Sequence, residues 1–502
     1  MIYVDDALPE PLHRQVYECI RTGILRGRLQ PGQRLPATRR LAERLGLARN
    51  TIARAYDDLL SEGYLEGRTG SGTFVARAFA ESQELAAHES VGDSIADDSG
   101  EANSSPRWDV IEQSNSPTLS NWARRAFAGA SLGPLDLPRT LPFDFRPGTP
   151  DWDAFPRQIW WRLLGRRLRA GKALQHYGDP AGYPPLREAI ASHITASRAV
   201  VCRPDQVVIV NGTQQAVDLL ARLLVEPGDS VLVEDPGYPD ARRTFAAYGA
   251  NLLPVPVDNL GICTDQLPDV SRPRIIYVTP SHQFPTGVTL SLERRLQLLT
   301  WAERRGALIL EDDYDSEFRY AGRPVESLQG LDRTGSVIYL GTFSTILFPP
   351  LRVGYLVLPP ALVAPFIRAK WLADRGTSTL EQQALADFLQ EGHFARHLRR
   401  VRRLGRERRD ALLVAVKRYL GSEADVPSAD TGMHALMQIP GRDDREVAAA
   451  AANRGVGVYS TRGCFMRESE TRPALILGYG SLTPQAIDEG IRRLHLALRD
   501  RL

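Results

Sequence analysis

The tract from Ala80 to Glu101, AESQELAAHESVGDSIADDSGE, carries seven carboxylates and neither Lys nor Arg. It has too little apolar surface to close a core and no cation to neutralise its charge, so it reads as a solvated linker. A chain of 502 residues already exceeds one ordinary core. The tract shows where this one divides: a compact module over 1–75, a linker and docking segment over 76–142, and a large domain over 143–502. Within the middle segment Trp108, Trp122 and Phe127 point to a piece that docks, with a short helix around Asn121–Ala128.

Composition removes several classes of function. The formal charge of +2 is too small for bulk attraction to nucleic acid, so any DNA contact must come from a local surface. Cys19, Cys202, Cys263 and Cys464 stand far apart with no CxxC pair, which argues against a disulfide framework and against a metal site. The N-terminus, with Asp5, Asp6 and Glu10, is not a basic-then-apolar signal, and a cytoplasmic protein is expected. The most apolar long segment, Ile346 to Ile367, contains Arg352 and five prolines and reads as turns and strand; no membrane partner is expected. Among 62 basic residues only Lys172, Lys370 and Lys417 are lysines, so chemistry that needs an amine has few candidates.

In the first module, Val16, Ile20 and Ile24 give Leu12–Leu25 a helical stripe, broken by Leu29–Gly32. Thr38 is expected to cap a helix ending at Gly46, and Asn50 to cap a second from Thr51 to Glu62. Two short helices about a glycine turn are a helix-turn-helix, the second helix reading the groove. Tyr64–Glu66 and Thr73–Val75 flank the glycine-rich GRTGSG, the pattern of a wing. Arg39, Arg49, Asn50, Thr51, Arg54 and, on the wing, Arg68 are then the candidates for double-stranded operator DNA: arginine for phosphate or guanine, Asn and Thr for positioning. A helix pair packing a protein interface, with Arg54 merely solvated, is the competing reading.

The large domain alternates short β-rich runs (Val207–Val210, Ser230–Glu234, Arg274–Thr279, Leu308–Glu311, Val337–Gly341, Gly354–Leu358) with helices such as Gln214–Leu224 and Leu292–Arg305. That is an α/β layer about a mostly parallel sheet, with a smaller lobe after a long helical stretch from Leu380 to Tyr419. Gly212, Thr213 and Gln214 lie between a strand and a helix, where amides and a hydroxyl can receive a phosphate. Many such turns bind nothing. Asp312 and Tyr314 follow a buried strand, where an aspartate can keep a pyridine nitrogen protonated and a tyrosine can donate to a phenolate; Asp312 alone could equally be a turn cap.

The first module, PLHRQVYECIRTGILRGRLQPGQRLPATRRLAERLGLARNTIARAYDDLLSEGYLEGRTGSGTFV, resembles the GntR-type winged helix. The fragments HYGDPAGYPPLREAI, NGTQQAVDLLARLL, VEDPGYP, VTPSHQFPTG, EDDYDSEFRY, GTFSTILFPPLRVGYLVLP and RPALILGYG resemble the MocR-type subfamily, in which a fold-type I aminotransferase-like domain with large and small lobes binds pyridoxal 5′-phosphate. The likeness spans nearly everything except the acidic tract. It implies Asp312 at the pyridine nitrogen, Tyr314 at the phenolic oxygen, and Thr342, Ser344, Arg352 and Gly212–Gln214 about the cofactor and its phosphate. It further implies Tyr177 reaching that phosphate from the partner of a head-to-tail homodimer, and Arg472 on an effector carboxylate. Arginine's two-pronged fit to phosphate and carboxylate gives the last of these, and Arg352, a physical reason.

One position departs. After Gly341-Thr342-Phe343-Ser344 the family pattern has lysine; this chain has Thr345. A lysine amine forms an imine with the cofactor aldehyde and then shuttles protons; a threonine hydroxyl does neither. Neither the spacing nor the setting of Lys172, Lys370 or Lys417 supplies a substitute. The expectation is a regulator rather than an enzyme, with any pyridoxal phosphate held noncovalently and an apo form allowed. An aminotransferase with an accessory DNA module, a lysine-to-threonine variant of a regulator, and a scaffold binding neither DNA nor ligand are the alternatives. Arg472 suggests a carboxylate effector without choosing one.

Overall fold

The computed structural model describes residues 4, 10–68, 70–77, 118–128, 141–169, 176–320, 325–427, 429–467 and 473–499. The acidic tract, Trp108, Lys172 and Arg472 lie outside them. The chain forms two compact units, Met1–Ser114 and Asn115–Leu502.

In the first unit, helices Leu12–Leu25, Thr38–Leu45 and Arg49–Ser61 enclose a core of Val16, Ile20, Ile24, Leu41, Ile52, Tyr56 and Leu59. The glycine turn is as expected: Gly46 takes a left-handed conformation (φ 69°) that ends the second helix. The caps are not. Ala37 and Ala48 occupy the N-cap positions without a side-chain bond, so Thr38 and Asn50 sit one or two residues inside their helices. The wing is an antiparallel pair, Leu65–Arg68 with Gly72–Val75, in register Leu65 to Val75.

The second unit is built on an eight-stranded sheet. Its order is Val207–Val210, Gly354–Val357, Val337–Thr342, Leu308–Asp313, Ile275–Val278, Ser230–Asp235, Asn251–Asp258, Gly261–Ile262. From Val337–Thr342 through Asn251–Asp258 neighbours run parallel, and Gly354–Val357 is antiparallel to both its neighbours. Val207 and Ile209 pack into one helical layer while Val208 and Val210 pack into the opposite one. Both faces are covered, which is why these strands are apolar throughout rather than alternating. The strand Asn251–Asp258, next to the two-residue edge strand Gly261–Ile262 and carrying Pro254 and Pro256, was not among the expected strands.

The smaller lobe carries the antiparallel sheet His434–Gln438, Ala474–Gly478, Tyr459–Ser460. The long helical stretch is two helices, Thr379–Gln390 and His393–Tyr419, parted by Gly392 at φ 73°. The helix Asn121–Ala128 docks through Trp122, which meets the edge of Tyr248 at 6.2 Å between centroids, and Arg125, whose Nε donates to the Ala247 carbonyl at 2.9 Å, whereas Phe127 is 77% exposed. No helix among the described residues is long and apolar enough to cross a membrane.

Candidate ligand site and DNA-binding surface

The strands Val207–Val210, Val337–Thr342, Leu308–Asp313, Ile275–Val278 and Ser230–Asp235 bring their carboxyl ends to one place, the position where open α/β sheets bind ligands. There a cavity of about 290 Å³ is lined by Thr213, Gln214, Asp312, Tyr314, Thr342, Ser344, Thr345 and Arg352, all named from the sequence, together with Tyr238, Asp240, Tyr277, Thr279, Phe284 and His434, which were not.

At one end the strand Val207–Val210 turns at Gly212 into the helix Thr213–Leu224, whose first amides lack partners within the helix. Arg352, itself left-handed at φ 50°, lays its guanidinium against Gly212 and donates to the Asn211 carbonyl at 2.7 Å. A Cβ on Gly212 would stand 3.1 Å from the guanidinium carbon, and Gly212 has φ 82°, so only glycine suits it. Helix terminus, guanidinium and the Thr342 hydroxyl make a cradle for an anion. The Gln214 side chain is committed to Thr244 at 2.7 Å, which leaves its backbone amide.

At the other end Asp312 is buried. Tyr277 donates to its Oδ2 at 2.6 Å, while Oδ1 is buried with no hydrogen-bond partner. Burial raises its pKa from the ordinary 3.8 to about 7, although the Tyr277 bond opposes the shift. Behind it Glu234, held by Thr279 at 2.7 Å, is likewise pushed by burial to about 7. The Tyr314 hydroxyl lies 3.0 Å from His282 Nδ1, which is 2.9 Å from Asp315 Oδ2. With Asp315 accepting, Nδ1 carries the proton, and Tyr314 keeps its own for the cavity. His282, Asp315 and His434 offer ligating atoms within 4.8 Å of one another, and Nε2 of both histidines is buried and unpartnered. No Cys or His spacing in the sequence signals this group.

Thr345 donates its hydroxyl to the Tyr314 backbone carbonyl at 2.5 Å. Ser344 Oγ is buried without a partner. Lys370, fully buried, is held by Asp374 at 2.7 Å and Thr377 at 2.9 Å and is not among the cavity-lining residues. Tyr177 also stands outside the cavity, 76% exposed, with Arg375 5.8 Å above its ring.

In the first unit the helix Arg49–Ser61 buries Ile52, Ala55, Tyr56 and Leu59 and leaves Arg49, Asn50 and Arg54 exposed, with Thr51 half-buried. Arg39 is exposed and 3.3 Å from Glu43. Arg68 lies 4.8 Å over Phe74 and 2.7 Å from Glu66, which orients it on the wing. Arg40 and Arg44 are also exposed on the preceding helix and were not named from the sequence.

Residues 12–75 match the family of bacterial regulatory proteins, gntR family, and residues 152–494 match aminotransferase class I and II. The chain is 42% identical to the probable rhizopine catabolism regulatory protein MocR of Rhizobium meliloti, over 99% of this chain and 96% of that protein. It is 35% identical to the HTH-type transcriptional regulator TauR of Rhodobacter capsulatus, over 97% and 96%. Among solved structures it resembles LysN, an α-aminoadipate aminotransferase of Thermus thermophilus complexed with N-(5′-phosphopyridoxyl)-L-leucine. That similarity has a TM-score of 0.69 and 32% identity, covering 76% of this chain and 97% of LysN.

Proposed function

The chain belongs to the MocR-type subfamily of GntR-family transcription regulators, and from that premise we propose that its aminotransferase-like domain takes pyridoxal 5′-phosphate as a reversible, noncovalent ligand. A small amino-acid-like effector acts on the same domain, and the pair controls binding of the 1–75 module to operator DNA. The segment 76–142 links and docks, and 143–502 is the sensing domain.

The observation that carries this reading is a cavity furnished for a pyridine phosphate at both ends but lacking an amine at position 345. Arg352, Thr342, Ser344 and the Gly212–Gln214 terminus would hold the phosphate, and a second copy would add Tyr177 in a head-to-tail homodimer. Asp312, with an unpartnered buried oxygen, suits a protonated ring nitrogen. Tyr314, with an uncommitted proton, suits the phenolic oxygen. Arg472 would take an effector carboxylate.

When bound, the cofactor supplies an electron-withdrawing ring able to stabilise charge on an attached amino acid. This chain supplies binding and orientation. At position 345 it holds a proton on a backbone carbonyl instead of moving one, which supports regulation without turnover. Incubation with pyridoxal phosphate, native mass spectrometry and an absorption spectrum test this. A complex that dialysis removes, and that borohydride does not fix at residue 345, is expected. Reduced cofactor on the tryptic peptide spanning Thr345, or no uptake at millimolar concentration, would sink the reading.

A further inference from the structure

The direction of the bond between Thr345 and Tyr314 is fixed, because a carbonyl cannot donate. A hydroxyl has one proton and two lone pairs. With the proton spent on the carbonyl, Thr345 presents only an acceptor to the cavity it lines. The Tyr314 carbonyl beside it is the group that takes this proton. Where the family pattern places an amine, this chain therefore presents one free hydrogen-bond acceptor, the Thr345 hydroxyl oxygen. Ser344 next to it keeps a rotatable, unpartnered hydroxyl, which serves a donor or an acceptor equally and so does not discriminate.

An aldehyde oxygen only accepts, and finds no donor in Thr345. An ammonium group carries three donors and gains a charge-assisted bond. Of the acidic side chains that line the same cavity, Asp240 is paired with Arg243 at 2.8 Å and Asp312 is assigned to the ring nitrogen, so the preference falls to Thr345. We propose that the site selects the amine form of the cofactor, pyridoxamine 5′-phosphate, over the aldehyde form, with Thr345 as the residue that sets the preference. This rests on the reading that the cavity takes a pyridine phosphate at all. The protein would then report how far the cofactor pool carries an amino group, a property linked to amino-donor supply.

The test is calorimetric titration of the full-length protein with each form separately, in amine-free buffer, for the wild type, Thr345→Val and Thr345→Ser. Mass spectrometry after borohydride excludes aldehyde bound to Lys172, Lys370 or Lys417. Pyridoxamine phosphate is expected to bind about 10-fold tighter to the wild type and to Thr345→Ser, the size of one hydrogen bond to a charged group. In Thr345→Val, which keeps the shape without the hydroxyl, the ratio should fall towards one. Aldehyde binding as tightly as amine in the wild type overturns the proposal. So does a ratio that survives in Thr345→Val, since a group other than Thr345 would then be the cause. If neither form binds, the cofactor reading itself fails, and this inference falls with it.

Discussion

Replacing Thr345 by lysine puts an amine into the cavity. Thr345→Lys is expected to bind pyridoxal phosphate covalently, with a new visible absorption band and, after borohydride, a modified peptide at 345. A folded variant that takes up no cofactor would show that the pocket has diverged further than one residue. Asp312 makes a second prediction at this scale. Its folded pKa of about 7 lies above the ordinary 3.8, so between these values the folded state holds the extra proton. Stability from this group is therefore lost as pH rises through about 7, with a full cost of roughly 4 kcal/mol for three units. Asp312→Asn, compared with wild type without ligand, should gain at least about 3 °C in Tm near pH 8 relative to the difference near pH 5. An equal difference at both pH values would place the carboxylate in a better-solvated site than its burial indicates. Thr345 could be read directly, since a missing amine is a local fact. The grip of Tyr277 on Asp312 could not, because the two lie on adjacent strands 35 residues apart in the chain.

The strand-to-helix turn at Gly212 places the anion cradle, and the wing and the helix Arg49–Ser61 place the basic surface. Gly212→Ala should weaken cofactor affinity at least about 10-fold, because its Cβ meets the Arg352 guanidinium and its φ is positive. Calorimetry showing unchanged affinity would remove the cradle from the site. Arg54→Ala and Arg68→Ala should weaken operator binding without altering the melting of the large unit. Loss across all sequences, shrinking with salt, marks a phosphate contact, and relaxed specificity marks a base contact. Gel-shift titrations at several salt concentrations separate these, and unchanged binding by both variants would remove the assignment. Element type was legible wherever periodicity was strong, as in Leu12–Leu25 and Leu292–Arg305. It failed where local chemistry misled. Thr38 and Asn50 look like caps but lie inside the first helical turn, and the prolines of Asn251–Asp258 disguise a strand that tolerates them beside a two-residue edge partner.

At the scale of the whole molecule, Tyr177 raises the question of which chain completes which pocket. It is exposed and outside its own chain's cavity. Tyr177→Ala and Arg352→Ala proteins, each impaired alone, should on mixing and subunit exchange recover cofactor binding at about a quarter of sites, since half the dimers are mixed and each has one intact pocket. No recovery after verified exchange would mean that Tyr177 does not serve a partner's site. The charged tract interrupts the hydrophobic pattern and so marks a division in the sequence; a pocket shared between copies would leave no such mark, because periodicity describes one chain. The hydroxyl of Thr345, tied to a backbone carbonyl, also bears on timing. A tethered cofactor stays through many cycles of cell metabolism and behaves as part of the protein. A ligand with no bond to break leaves at its own off-rate, and its occupancy follows free concentration by mass action, most responsively around Kd. On the proposed reading, the missing amine turns a permanent fixture into a gauge, one that forgets the last reading as quickly as the ligand departs.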